Sequence, residues 1–256
     1  MCIAFLALGQ SRWPVLVAAN RDEFHDRPTA PLGPWPGHPE VLAGRDLQAG
    51  GTWMGCTRSG RFALLTNFRE PGVQAPAGAP SRGALVRDYL FSEEAPDAWM
   101  LRLAHAAQAH AGYNLIVGTR AQWWYYSNRD PRPGPRALAP GHYVVSNHLL
   151  DTPWPKARRL RTALEALAAS AWIRQPEQVL ERLHDGTPAQ DAELPDTGLS
   201  PDFERLLSSP FIVSPEYGTR SSSVLALGKD GTILFCEQSH DPAGRAVERH
   251  DWRINR

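Results

Sequence analysis

The chain reads as a mixed α/β (α+β) protein in which mainly antiparallel sheets are covered by helices, and three observations predict this. Apolar runs joined by turn residues open the chain, a second hairpin signal lies near its end, and stretches of helical periodicity separate the two. At 256 residues it is long enough for one sizeable core, and nothing in its composition asks for a second domain, so residues 1–256 are expected to form a single unit.

Taken in order, residues 2–8 and 15–19 are apolar and flank Gly9, Gln10 and Ser11, which reads as a hairpin. A turn centred near Ser11 puts residue 20 roughly opposite residue 2, so that Asn20, Arg21, Asp22 and Glu23 emerge beside the chain terminus. The Pro-rich stretch 27–40 reads as an irregular loop. Residues 52–57 and 62–67 form a second hairpin about Arg58, Ser59 and Gly60, with Asn67 at a strand end. Ser81 is placed to cap a helix running to about residue 92, with Leu85 and Tyr89 on one face, and Pro96 opens another to about residue 109. Strands follow at 113–118, 122–127 and 143–146, interrupted by the Pro-rich segment 131–140. Pro155 begins a helix to about residue 170, with Leu160, Leu164 and Leu167 recurring on one face. Residues 176–184 read as a further helix and 185–201 as a loop. Strands at 221–227 and 232–237 flank Gly228, Lys229, Asp230 and Gly231.

Composition excludes several function classes. Lys plus Arg and Asp plus Glu each number 27, so no global charge favours nucleic acid or an anionic membrane. Only Lys156 and Lys229 are lysines, against 25 arginines, a bias that with 23 prolines points to a GC-rich bacterial genome. Cys2, Cys56 and Cys236 are odd in number and far apart, which speaks for a reducing cytoplasm rather than a disulfide framework or a Cys-x-x-Cys metal site. The opening apolar run has no basic leader and is far shorter than the ~20 residues a membrane helix needs, so neither export nor an integral membrane segment is expected. The nine histidines form no His-Glu-x-x-His pattern. Gly-x-Ser-x-Gly and phosphate-loop motifs are absent too, and Trp123 to Tyr126 suit core packing.

Chemistry concentrates at Cys2. A small second residue permits removal of Met1, which would leave a thiol and a free amine on one residue. With ordinary pKa values near ~8.5 and ~7.7, the neutral amine can take the thiol proton close to physiological pH. Arg21 would favour the thiolate, and Asp22 would hold the ammonium or orient the amine.

Asn20-Arg21-Asp22-Glu23 after Met-Cys resembles the NRDE family, which takes its name from this tetrapeptide and includes proteins of transport and Golgi organisation. Matching segments continue through Gly44-Arg45-Asp46, Gly50-Gly51-Thr52-Trp53-Met54-Gly55, Thr66-Asn67-Phe68-Arg69 and Ser81-Arg82-Gly83. They extend to Tyr113-Asn114-Leu115, Ser146-Asn147, residues 150–156 and Tyr217-Gly218-Thr219-Arg220-Ser221-Ser222, nearly the whole chain. The family in turn is similar to the N-terminal-nucleophile hydrolases, in particular the cysteine branch with penicillin V acylase and bile-salt hydrolase. That likeness implies an αββα four-layer sandwich, with Cys2 as nucleophile and Arg21 and Asp22 as its support. It also implies Asn67 and Asn147 at the oxyanion and Arg220 completing the site. One departure stands out: Arg21 and Asp22 are adjacent, and neighbouring strand residues face opposite ways, which puts their joint reach to the thiol in question.

Two functions compete. The first is a cysteine amidohydrolase acting on a linear, non-peptide amide through a thioester, with no cofactor and a small-molecule substrate. The second is a carrier on the same fold, for haem or lipid, in line with family links to haem movement, secretion and lipid homeostasis. Cys2 would then be a haem thiolate ligand, although no Cys-x-x-Cys-His site is present.

Overall fold

The structure, a computed structural model, describes residues 2–74, 76–106 and 109–255. Met1, on which the expected processing turns, lies outside them.

Two antiparallel sheets form the centre. One has the order β10-β1-β2-β11-β12-β13, built from β1 (Cys2–Leu8), β2 (Val15–Phe24), β10 (Gly141–Val145), β11 (Tyr217–Leu227), β12 (Ile233–His240) and β13 (Ala246–Ile254). The other runs β3-β4-β5-β6-β7-β8-β9, from β3 (Thr29–Trp35), β4 (His38–Asp46), β5 (Met54–Thr57), β6 (Phe62–Asn67), β7 (Tyr113–Gly118), β8 (Trp123–Ser127) and β9 (Arg136–Leu138).

Strand alternation sorts the apolar residues into three cores. Ala4, Leu6, Leu8, Val15 and Val17 face Leu42, Met54, Phe62, Leu64 and Ile116 between the sheets. The intervening residues Ile3, Phe5, Leu16 and Ala18 point the other way. They are covered by α3 (Pro155–Glu165), α4 (Ala169–Arg174) and α5 (Pro176–Leu183) through Leu160, Leu164, Trp172, Val179 and Leu183. On the outer face of the second sheet, Val41, Ala63, Leu65 and Leu115 meet α1 (Arg82–Phe91) and α2 (Pro96–His105) through Val86, Tyr89, Trp99 and Met100. The result is an αββα four-layer sandwich. Each fully buried large apolar side chain contributes about 1.5–3 kcal/mol, so the three cores hold the layers without disulfides. A further short helix, α6 (Pro201–Leu206), follows a 3₁₀ turn at Asp191–Glu193.

The expected loop at residues 27–40 is overturned: it holds β3 and the start of β4. Pro31 and Pro34 are tolerated because β3 is an edge strand, and its pairing shifts register on both sides of Gly33 and Pro34. The helix expected from Pro155 to about residue 170 ends at Glu165 instead. The first hairpin is offset by one residue from the expected register: Cys2 pairs with Arg21, and Asn20 pairs with Ile3. Because strand periodicity is two, that single step decides which member of the tetrapeptide shares the thiol's face.

Candidate active site

Cys2 follows the alternation of Ala4, Leu6 and Leu8 and therefore faces the space between the sheets. Arg21, its cross-strand partner, shares that face. The Arg21 guanidinium lies 4.2 Å from the centroid of the Trp53 ring and donates from Nη1 to Thr29 Oγ1 at 3.2 Å. Asp22 turns to the helix-covered face, where its Oδ1 accepts from Thr219 Oγ1 at 2.7 Å. The separation raised by their adjacency is thus real for the two side chains, yet Asp22 still reaches the thiol through its backbone, whose N–H donates to the Cys2 sulfur.

Asn20 has a different task. Its Nδ2 donates to the carbonyls of Leu183 and Pro210, both at 2.8 Å, and its Oδ1 accepts from Ser222 Oγ at 2.7 Å. It ties the helix layer to the sheet directly behind the two charged residues.

A cavity of about 890 Å³ opens at this end of the sheets, and Cys2, Arg21, Asp22 and Asn67 all line it. Its lining also includes the polar Glu23, Arg27, Asp46, Ser81 and Arg82 and the apolar or aromatic Phe24, Trp53, Leu65, Phe203, Leu206, Leu207 and Tyr217. Asn67 is presented by the last position of β6. Asn147 is fully buried at 0 % exposure, behind Asn67 and off the cavity wall. Its Nδ2 donates to the Asn67 carbonyl at 3.1 Å, and the Arg69 N–H donates to the Asn147 carbonyl at 2.7 Å. Arg220 also lies off the wall. Its Nη1 donates to the carbonyls of Phe24, His25 and Arg27 at 2.8, 3.0 and 3.3 Å, bracing the turn that carries Arg27 to the rim.

Burial is the largest electrostatic influence on the site. Burial pushes the Cys2 thiol up, the Asp22 charge adds to this, and the Asp22 N–H and Arg21 act against it. Asp22 is itself raised by burial, with Lys156, Thr219 and Arg21 pulling it back. The Tyr217 phenol stands well above its ordinary value through burial and the nearby Asp22 and Cys2 charges, which keeps it a proton-bearing hydroxyl. Burial lowers Arg82, and Cys2 opposes that shift.

Several of these residues carried no chemical reading in the sequence. Arg82 opens α1 toward the cavity because the chain at Gly51 passes against Gly83, where a Cβ on Gly51 would come within 2.4 Å of the Gly83 carbonyl carbon. Gly50 turns the chain there at φ +69°. Lys156 is 2 % exposed and reaches Asn147. Its rarity as one of two lysines and its place in the matching segment 150–156 were the available signals. Among the described residues, no group of three or more His, Cys, Asp or Glu is arranged to hold a metal ion, and no histidine lines the cavity. Among the described residues, no helix is long and apolar enough to cross a membrane.

A family model described as Transport and Golgi organisation 2 matches residues 1–242. The chain is 30% identical to a Transport and Golgi organization protein 2 homolog of Bos taurus over 285 residues, covering 99% of each protein. It is 32% identical to the Homo sapiens homolog over 261 residues, covering 93% of each. The Drosophila melanogaster protein is 26% identical over 98% of this chain and 97% of its own length. Among solved structures, a Caenorhabditis elegans N-acylethanolamine-hydrolyzing acid amidase ortholog superposes with a TM-score of 0.48 at 13% identity, covering 88% of this chain and 92% of that one.

Proposed function

The chain belongs to the Transport and Golgi organisation 2 family, and from that premise and the cavity geometry we propose that it is an N-terminal cysteine amidohydrolase. One observation carries this reading: Cys2 opens into a single cavity together with Arg21, Asp22 and Asn67. At about 890 Å³ the cavity falls in the size range of small-molecule sites, roughly 300–1,000 Å³, and its apolar lining residues suit a substrate with a hydrocarbon portion.

In the processed protein the free α-amine takes the thiol proton, and the sulfur attacks the carbonyl carbon of a linear, non-peptide amide. Because burial holds the thiol up, a base on the same residue is needed to release the proton. Negative charge then grows on the carbonyl oxygen, and Asn67 on the cavity wall is the donor assigned to it; loss of one such donor costs about 3 kcal/mol. Collapse breaks the C–N bond, the ammonium returns its proton to the leaving amine, and a thioester is left on Cys2. Water then adds to the thioester carbonyl, and the acid and thiol are regenerated. Arg21 counters charge on the sulfur, Asp22 sits where it can orient the terminal amine, and Tyr217 supplies a neutral hydroxyl nearby.

The test is acyl transfer from an activated ester to the processed protein and to Cys2→Ala, followed by intact mass. The reading expects an acyl adduct on Cys2 that forms and then decays. A thiol that is alkylated by iodoacetamide yet never acylated would instead favour a carrier that binds haem or lipid without turnover. For haem, Cys2 would be the soft ligand on the cavity wall.

A further inference from the structure

Lys156 is a costly residue where it stands. It occupies the first turn of α3 just after Pro155, where the helix dipole disfavours positive charge, and it is almost fully buried. Burial lowers its ammonium to about 8; Arg69 adds to the shift, and Asp22, Cys2 and Glu204 oppose it. Its Nζ lies 3.3 Å from Asn147 Oδ1, and Ser146 Oγ, whose one hydrogen is nearer the Cys2 carbonyl at 2.9 Å, lies 3.2 Å from the same oxygen.

That arrangement fixes the orientation of the Asn147 amide. Its oxygen faces the Lys156 ammonium, and its nitrogen faces the Asn67 carbonyl. A flipped amide would set N–H groups against the ammonium and oxygen against oxygen. The clasp closes on the main chain as well, through the Arg69 N–H to the Asn147 carbonyl.

We propose that Lys156 is a positioning residue, which locks Asn147 so that Asn147 holds the Asn67 backbone and aims the Asn67 side chain at the oxyanion formed on Cys2 attack. The role rests on the amidohydrolase reading above. It differs from direct support of the thiolate, and the two separate experimentally, since acyl transfer builds an oxyanion and alkylation of a thiol does not.

The experiment compares wild type, Lys156→Met, Asn147→Ala and the Lys156→Met/Asn147→Ala double variant at pH 7, each starting at Cys2. Acylation by 4-nitrophenyl acetate and alkylation by iodoacetamide are both read at Cys2 by mass, with a thermal melt as the folding control. Lys156→Met is expected to slow acylation about tenfold or more while alkylation stays within about twofold. The double variant should be no slower than Asn147→Ala, because both act on one element. Should Lys156→Met fail to fold, Lys156→Gln takes its place: shorter and uncharged, it withdraws the ammonium from Asn147 Oδ1, and the same selective loss is expected. Unchanged acylation in the folded variant, an equal fall in both reactions, or multiplying losses in the double variant overturns the role of Lys156 alone. Wild type that is alkylated but never acylated overturns the hydrolase reading and this role with it.

Discussion

Replacing Glu204 by Gln should be among the more damaging conservative changes in this protein. Arg69 Nη1 and Glu204 Oε2 lie 2.6 Å apart, with side chains only 4% and 3% exposed. The Arg69 guanidinium stacks 4.8 Å from the Trp154 ring, and Glu204 Oε1 also accepts the Thr197 N–H at 3.1 Å. Neutralising Glu204 leaves a buried guanidinium without its nearest counter-charge, which typically costs about 3–5 kcal/mol. At roughly 2–4 °C per kcal/mol for a chain of this size, Tm should fall by about 6–20 °C. Exchanging both partners for apolar residues, Arg69→Met with Glu204→Leu, removes the stranded charge and should recover most of that loss. The pair also fastens α6, whose Phe203 and Leu206 line the cavity, to the segment that carries Asn67. Scanning calorimetry at neutral pH is the assay. A Glu204→Gln protein melting within about 2 °C of wild type, or a double variant as unstable as the single one, would refute the reasoning.

Three further outcomes are expected. His240 is buried and depressed from 6.5 to about 4, so between those values the unfolded chain binds a proton that the folded one refuses. Stability should therefore fall as pH drops through that window, and a Tm-versus-pH series should be flatter for His240→Gln than for wild type. Lys156 is lowered from 10.5 to about 8, so the cost of its buried charge is fully present below pH 8 and fades towards 10.5. Lys156→Met should accordingly melt higher than wild type at pH 7, with the gap closing in alkaline buffer; a lower Tm at pH 7 would contradict this. Gly51→Val places a side chain against the Gly83 carbonyl and should push the start of α1 and Arg82 away from the cavity. It should slow Cys2 acylation far more than the same substitution at Gly33, where nothing lies within 4 Å, and equal rates would remove that packing argument.

The parts of the fold that were legible in the sequence are those where local chemistry and tertiary role agree. The hairpin at β1 and β2 has apolar runs and a polar turn, and the β11–β12 hairpin has its Gly-flanked turn. Among the edge strands, β10 was read but β3, β9 and β13 were not. β3 carries two prolines, and β13 is exposed and charged, because an edge needs neither a full hydrogen-bond ladder nor an apolar face. In the site, Cys2, Arg21 and Asp22 could be placed together because one hairpin brings them there. The one-residue offset that gives Arg21 the thiol's face depends on turn geometry that composition does not encode. Lys156 is 154 residues along the chain from Cys2, and only the folded packing of α3 brings it to Asn147. Arg220, implied by resemblance to complete the site, lies off the cavity wall with its Nη1 donating to three turn carbonyls.

The central claim is that the mature amino terminus is a nucleophile. Intact mass of the purified protein, before and during incubation with an activated acyl ester, tests it most directly. The account predicts a chain beginning at Cys2 that gains one acyl group and then loses it, with no gain in Cys2→Ala. A chain that keeps Met1 and leaves Cys2 unmodified, or a Cys2→Ala protein acylated as fast as wild type, would contradict it.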